Sequence, residues 1–110
     1  MSDIQTQDIR YSAAGADLHG YLAWDAARKG RRPGVLVVHE WWGLNDYVRA
    51  RAEKLARQGY VALALDMYGD GKHTEHPDEA NAFMMAALKN LDEAQKRFQA
   101  AQELLANDPR

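Results

Sequence analysis

Two short runs of aliphatic residues constrain this chain more than anything else in it. Val35-Leu-Val-Val38 and Val61-Ala-Leu-Ala-Leu65 show no alternation with polar residues. Such runs mark strands buried on both faces, as in a parallel sheet. Between them, residues 46–58 carry a helical pattern that places Val48, Ala52, Leu55 and Ala56 on one face. Asn45 is suited to cap that helix, and Asp46 is a favourable anion in its first turn. Gly59 fits the left-handed position that closes a helix, with Tyr60 entering the next strand. Strand 34–39, helix 46–58 and strand 60–65 therefore read as one βαβ unit, whose crossover should be right-handed.

A buried parallel pair needs neighbours at its edges and cover on both faces. Upstream, Asp8-Ile-Arg-Tyr-Ser-Ala-Ala and Asp17-Leu-His-Gly-Tyr-Leu-Ala-Trp alternate in polarity around a turn at Gly15-Ala-Asp17. Residues 8–24 thus predict an antiparallel hairpin with one solvated face. The basic stretch Arg28-Lys-Gly-Arg-Arg-Pro-Gly34 reads as a solvated connection. Downstream, Pro77 opens a helix with Asp78 and Glu79 in its first turn. Ala80, Phe83, Met84, Ala87, Leu88 and Leu91 form an apolar stripe, continued by Ala94, Phe98, Ala101 and Leu105. Asn90-Leu-Asp-Glu93 is a fresh capping signal, so either a second helix starts there or the first one bends. Asn107-Asp-Pro109 stops the pattern. The Met and Phe residues of helices 77–106 read as core packing. The expected class is α/β over residues 1–110, with a hairpin, a parallel βαβ unit and C-terminal helices. The last helix leads to no further strand, so the chain reads as stopping in mid-fold.

Composition narrows the chemistry. With 14 basic and 16 acidic residues the net charge is −2, which favours neither nucleic acid nor an anionic membrane as partner. The longest apolar run is far short of the roughly 18 residues of a membrane-spanning helix. The first residues lack the basic and apolar regions of a signal peptide, and a cytoplasmic location is the expectation. Cys is absent. Hydroxyl side chains other than Tyr are confined to Ser2, Ser12, Thr6 and Thr74, so candidates for a covalent nucleophile are few.

The most distinctive string is His39-Glu-Trp-Trp-Gly43, directly after the first buried run. Open α/β sheets place their sites at the carboxyl ends of parallel strands. A Glu40 buried beside two Trp rings would be desolvated, which raises a carboxyl pKa and suits acid/base work. It could equally pair with a nearby Arg while the rings fill space. A zinc-protease helix is rejected, because Gly43 stands where the second His would have to be. Asp66, Asp70, His73 and His76 around a polar loop are a weaker metal candidate. His19 reads as a surface residue.

These residues resemble those of the dienelactone hydrolase family of the α/β-hydrolase superfamily. The resemblance runs from about Tyr11 onward, through Leu18-His-Gly-Tyr-Leu-Ala-Trp24, Pro33-Gly-Val-Leu-Val-Val-His-Glu-Trp-Trp-Gly-Leu-Asn45 and Gly59-Tyr-Val-Ala-Leu-Ala-Leu-Asp-Met-Tyr-Gly69. It implies the N-terminal half of an α/β-hydrolase fold and a hydrolase of small esters or lactones, with a Cys-His-Asp triad and no cofactor. By the same resemblance, Glu40 contacts the nucleophilic thiol at rest. The backbone N–H of Trp41 becomes one donor of the oxyanion hole, where such a donor is worth roughly 3 kcal/mol. The triad itself would lie on segments after Arg110. A family Arg that binds substrate carboxylate should fall near residues 78–84, where this chain has Asp-Glu-Ala-Asn-Ala-Phe-Met. An ester or lactone other than dienelactone is therefore at least as good a fit.

The resemblance also places strand 34–39 at a sheet edge, which invites another chain to pair with it. The expected partners are a complementing C-terminal half or a second copy. The alternative to a hydrolase half is a non-catalytic α/β module that self-associates through this edge. A small metal-dependent hydrolase built on the Asp66 to His76 loop ranks last.

Overall fold

A computed structural model describes residues 3–13, 15–28 and 30–108. Its elements are β1 (Ile4–Ala13), β2 (Ala16–Asp25), β3 (Gly34–Val37), α1 (Asp46–Arg57), β4 (Val61–Ala64), α2 (Pro77–Lys89) and α3 (Leu91–Ala106). The strands form one sheet in the order β1-β2-β4-β3. β3 and β4 are parallel, with Gly34 opposite Val61 and Val37 opposite Ala64. β2 joins β4 antiparallel, and β1 joins β2 as a hairpin.

The alternation of β4 sorts the core into two layers. Ala62 and Ala64 face α1 and pack with Ala23, Leu44, Val48, Ala52 and Ala56. Val61, Leu63 and Leu65 face the other way and pack with Leu22 and Ala101, with Leu36, Leu104 and Leu105 against them. One helix layer therefore covers each side of the sheet. On the α1 side the buried residues are alanines apart from Leu44 and Val48, and the alanines let helix and sheet approach closely. The α3 side is filled by leucines. All four residues of β4 are buried, as a central strand requires.

The local signals act as their chemistry demands. Asn45 caps α1, its side-chain oxygen accepting from the Val48 N–H at 3.1 Å. Gly59 has φ +105° just after the helix. Asn90 resolves the choice left by the sequence in favour of a second helix, accepting from the Glu93 N–H at 3.1 Å. Asp25 closes the hairpin end by accepting from the Asp3 and Ala27 N–H groups. Those bonds, the Asp3 one foremost, hold its carboxyl below the usual range. The basic loop folds on itself: Arg32 donates to the carbonyls of Asp25 and Arg28.

Several expectations need correction. Of the turn expected at Gly15-Ala-Asp17, Gly15 alone lies outside a strand, since Ala16 and Asp17 already belong to β2. Ala14, Lys29 and Pro109, placed above in the hairpin, the basic loop and the C-terminal stop, lie outside the described residues. β2 is mostly buried rather than solvated on one face, because α1 and α3 cover its two sides. The strand expected over 34–39 ends at Val37, and its side chains are only half-buried. The cause is its edge position: it has one strand neighbour among the described residues. Met85, Leu88, Leu91 and Phe98 are exposed rather than core. Helical periodicity aligns them on a face, but no described layer covers that face. Among the described residues no helix is long and apolar enough to cross a membrane.

Leu63 is fully buried at the centre of the α3 layer, whereas Leu88 is 55% exposed. Leu63→Ala should cost about 3 kcal/mol of stability in a denaturant titration. Leu88→Ala should stay within about 0.5 kcal/mol of the parent. Equal losses in the two variants would contradict this division of the core.

Candidate functional site

The chain leaves β3 through Val38 and His39 and turns at once. The Gly43 N–H donates to the Glu40 carbonyl at 3.1 Å, which closes a four-residue turn over Glu40-Trp41-Trp42-Gly43. Gly43 has φ +89°, and a Cβ there would collide with the Lys72 carbonyl. Only glycine fits this position.

The turn is fastened to the loop that follows β4. Asp66 is fully buried. Its Oδ1 accepts from the N–H groups of Tyr68 at 3.1 Å and Gly69 at 2.8 Å. Its Oδ2 accepts from those of Gly71 at 2.7 Å and His19 at 3.1 Å. The loop wraps around this carboxylate with positive φ at Gly69, Asp70 and Gly71 in succession. Arg97 holds it from α3, donating to the Met67 carbonyl at 2.7 Å.

Bonds then cross between this loop with its continuation and the β3 exit. The Met67 N–H donates to His39 Nε2 at 3.0 Å. The Tyr68 hydroxyl donates to the Trp41 carbonyl at 2.9 Å, and the Thr74 N–H to the Trp42 carbonyl at 2.9 Å. Because Nε2 accepts from a backbone N–H, the neutral His39 ring carries its proton on Nδ1, which lies 2.7 Å from the Glu40 carbonyl oxygen. Burial pushes the His39 pKa below its ordinary 6.5, with the Glu40 bond and the Asp66 charge opposing. The Tyr68 ring packs on His39 with centroids 4.8 Å apart. Burial raises the Tyr68 pKa, so its hydroxyl keeps the proton that it donates.

The N–H groups of Glu40, Trp41 and Trp42 have no acceptor among the described residues, although their turn is fixed from several directions. Glu40 departs from expectation: it is exposed rather than desolvated. The edge position of β3 is the reason, since nothing described packs against its open side. No ion pair holds Glu40 among the described residues either, so the expected alternative of an Arg partner is not seen. Its side chain borders two clefts beside the free edge. One, of about 300 Å³, is shared with Trp42, Asn45, Tyr47 and Val48. The other, of about 190 Å³, is shared with Val37, Val38, Tyr47, Val48 and Arg51. Trp41 stacks edge-on against Trp42 at 5.2 Å.

The loop residues weighed for a metal do not come together. Asp66 is saturated by backbone donors, while Asp70, His73 and His76 are exposed. Among the described residues no group of three His, Cys, Asp or Glu is placed to hold a metal ion. His19 is half-buried, and its N–H serves Asp66. Sequence reasoning missed the fastening roles of His39, Asp66 and Tyr68. A signal for one was present, since Asp66 ends a buried strand and glycines follow it at 69 and 71.

Comparison with known proteins adds to this geometry. The sequence model of the dienelactone hydrolase family matches residues 18–110. A protein of Aquifex aeolicus, whose name proposes it as a carboxymethylenebutenolidase, is 36% identical over 103 residues. The match covers 90% of this chain and 43% of that protein. The solved structure of m3DLH superposes with a TM-score of 0.89 at 34% identity, covering 96% of this chain and 44% of that one. A dienelactone hydrolase-like promiscuous phosphotriesterase from metagenomic libraries gives the same TM-score at 31% identity, with the same coverage. The chain thus spans less than half the length of the relatives it matches.

Two outcomes follow for the fastening network. Asp66→Asn replaces one acceptor oxygen by a donor facing backbone N–H groups, and should cost about 3 kcal/mol in a denaturant titration. A loss below about 1 kcal/mol would show that the four bonds do not organise the loop. For His39 the folded pKa is depressed, so its contribution is complete above the unfolded value of 6.5 and is lost as pH falls through the folded value. Thermal melts should show stability falling below pH 6.5, with a shallower fall in His39→Gln. Identical pH profiles would exclude His39 as the source.

Proposed function

The chain belongs to the dienelactone hydrolase family, and on that premise we propose that it supplies the oxyanion side of a site that hydrolyses small carboxylic esters or lactones. The observation that carries this reading is the Trp41 N–H, unpaired among the described residues, in a turn at the carboxyl end of β3 whose carbonyls are all hydrogen-bonded. A substrate carbonyl lodged against it would gain a donor as its oxygen takes on negative charge in the tetrahedral intermediate. Glu40 stands on the same turn, exposed and beside the open edge, and would face the nucleophile there. The sequence holds no Cys, so a thiol nucleophile must come from another segment or another chain, and the family resemblance puts the acid and the histidine of the triad with it.

Loss of a triad nucleophile lowers turnover by about six orders of magnitude. The 110-residue chain alone should therefore give no hydrolysis of an activated ester above background. Joined or mixed with the remaining length of the Aquifex aeolicus relative, it should hydrolyse the ester. In that assembly Trp41→Pro removes the N–H at a turn position that accepts proline, and kcat should fall about 100-fold or more against Trp41→Ala, which keeps it. Turnover by the chain alone would overturn the division of labour. Equal kcat in the two Trp41 variants would overturn the oxyanion role.

A second reading rests on the edge itself. β3 is the last strand of the sheet, and Val38 beside it is 53% exposed. An open apolar edge favours strand addition from a second copy. Sedimentation at micromolar concentrations should then show dimers or larger species, and a charged Val38→Lys should return them to monomers. A stable parent monomer would remove this reading.

A further inference from the structure

We propose that His39 is a positioning residue for the Trp41 backbone N–H, acting through the peptide that joins Glu40 to Trp41. This deepens the oxyanion reading above and depends on it for its catalytic meaning. A trans peptide is planar, so the carbonyl of Glu40 and the N–H of Trp41 point in opposite directions along one rigid unit. Whatever holds the carbonyl aims the N–H.

Two donors hold it. The Gly43 N–H closes the turn at 3.1 Å, and His39 Nδ1 lies closer, at 2.7 Å. With a single donor the peptide plane can rock about that bond; a second donor on the remaining lone pair removes the freedom. His39 is itself held at its far nitrogen by the Met67 N–H at 3.0 Å, a bond that also selects the tautomer needed to donate. The ring is buried and packed against Tyr68. Tyr68 fixes the following peptide as well, through the Trp41 carbonyl. The result is a relay in which the Met67 N–H sets the imidazole, the imidazole sets the Glu40 carbonyl, and that carbonyl sets the Trp41 N–H. Hydrogen bonding to a carbonyl also polarises its amide, which strengthens the N–H as a donor. Misplacing a catalytic group by about 1 Å can cost 100-fold in rate, so a rigid aim matters to the proposed chemistry.

The two nitrogens of His39 can be separated by substitution. His39→Asn places an amide nitrogen near the Nδ1 position, keeping a donor for Glu40 and losing the acceptor for Met67. His39→Gln places an amide group near Nε2, keeping an acceptor for Met67 and losing the donor. The experiment is nuclear magnetic resonance on the isotopically labelled 110-residue chain. In the parent, the imidazole spectrum should show the proton on Nδ1, with a through-hydrogen-bond correlation from that nitrogen to the Glu40 carbonyl carbon. In His39→Gln the Trp41 amide resonance should move while that of Met67 holds; in His39→Asn the pattern should reverse. A merely structural histidine would disturb both amides together in both variants. That outcome, or a proton on Nε2, would overturn the proposal. If either variant fails to fold, the tautomer and the correlation in the parent still decide the matter. None of these readings requires turnover, so failure of the oxyanion role would show in the kinetics of the Trp41 variants and not here.

Discussion

The carboxylate of Asp66 is the point on which the rest of this structure depends. It is fully buried, and its two oxygens gather four backbone N–H groups from β2 and from the loop after β4. Each charge-assisted bond of this kind contributes more than a neutral one, and the His19 donor ties the loop to a strand 47 residues earlier. Any other path out of β4 would deprive the buried carboxylate of these donors. Surface ion pairs here are of a different order: Arg49 meets a fully exposed Asp46 at 3.9 Å, and such a pair adds little. The loop shaped by Asp66 then presents Met67 and Tyr68 to the β3 exit. A buried acid at one strand end thereby fixes the backbone at the end of its neighbour.

The two core layers make that transfer rigid. On the α1 side, Ala52, Ala56, Ala62 and Ala64 allow helix and sheet to meet closely, and Leu44 and Val48 seal the space just beyond the turn. On the other side the leucine layer carries α3, whose Arg97 reaches the Met67 carbonyl. The site backbone is thus gripped from both faces of the sheet. Its side chains are not gripped in the same way: Glu40 and Trp41 are exposed toward the free edge of β3. Backbone order and side-chain exposure coexist because the fastenings run to carbonyl oxygens and to His39.

Much of this was legible in the sequence, and what was not has definite physical reasons. The two unalternating runs specify the βαβ unit, and Asn45, Gly59 and Asn90 mark helix ends, because each of these signals acts within a few residues. The exposure of Glu40 was not legible, since burial at a strand end depends on what flanks the strand rather than on the strand itself. Leu88, Leu91 and Phe98 failed as core residues for the same reason, as periodicity defines a face but not its cover. The role of His39 was hidden because its donor, Met67, stands 28 positions away; that of Asp66 was half legible, since Tyr68, Gly69 and Gly71 are close in sequence while His19 stands 47 positions away. Their residue types suggested metal or acid/base chemistry, while the structure uses both to hold backbone.

The pattern of satisfied and unsatisfied groups in the turn has a chemical direction. The carbonyls of Glu40, Trp41, Trp42 and Gly43 all accept hydrogen bonds. The Trp41 N–H has no acceptor among the described residues. A turn of this kind leaves the N–H of its second residue free, and one that presents it beside an open strand end can offer it to an incoming oxygen. Trp41 is 36% exposed, and an N–H that water reaches is left free at little cost. The same exposure limits what it can contribute, because a donor facing water acts in a high dielectric. Covering the β3 edge would exclude that water and strengthen the donor in the same event. In the proposed reading, completion of the sheet and activation of the site are therefore one physical change, and the hydrogen-bonded turn is the part that is already in place beforehand.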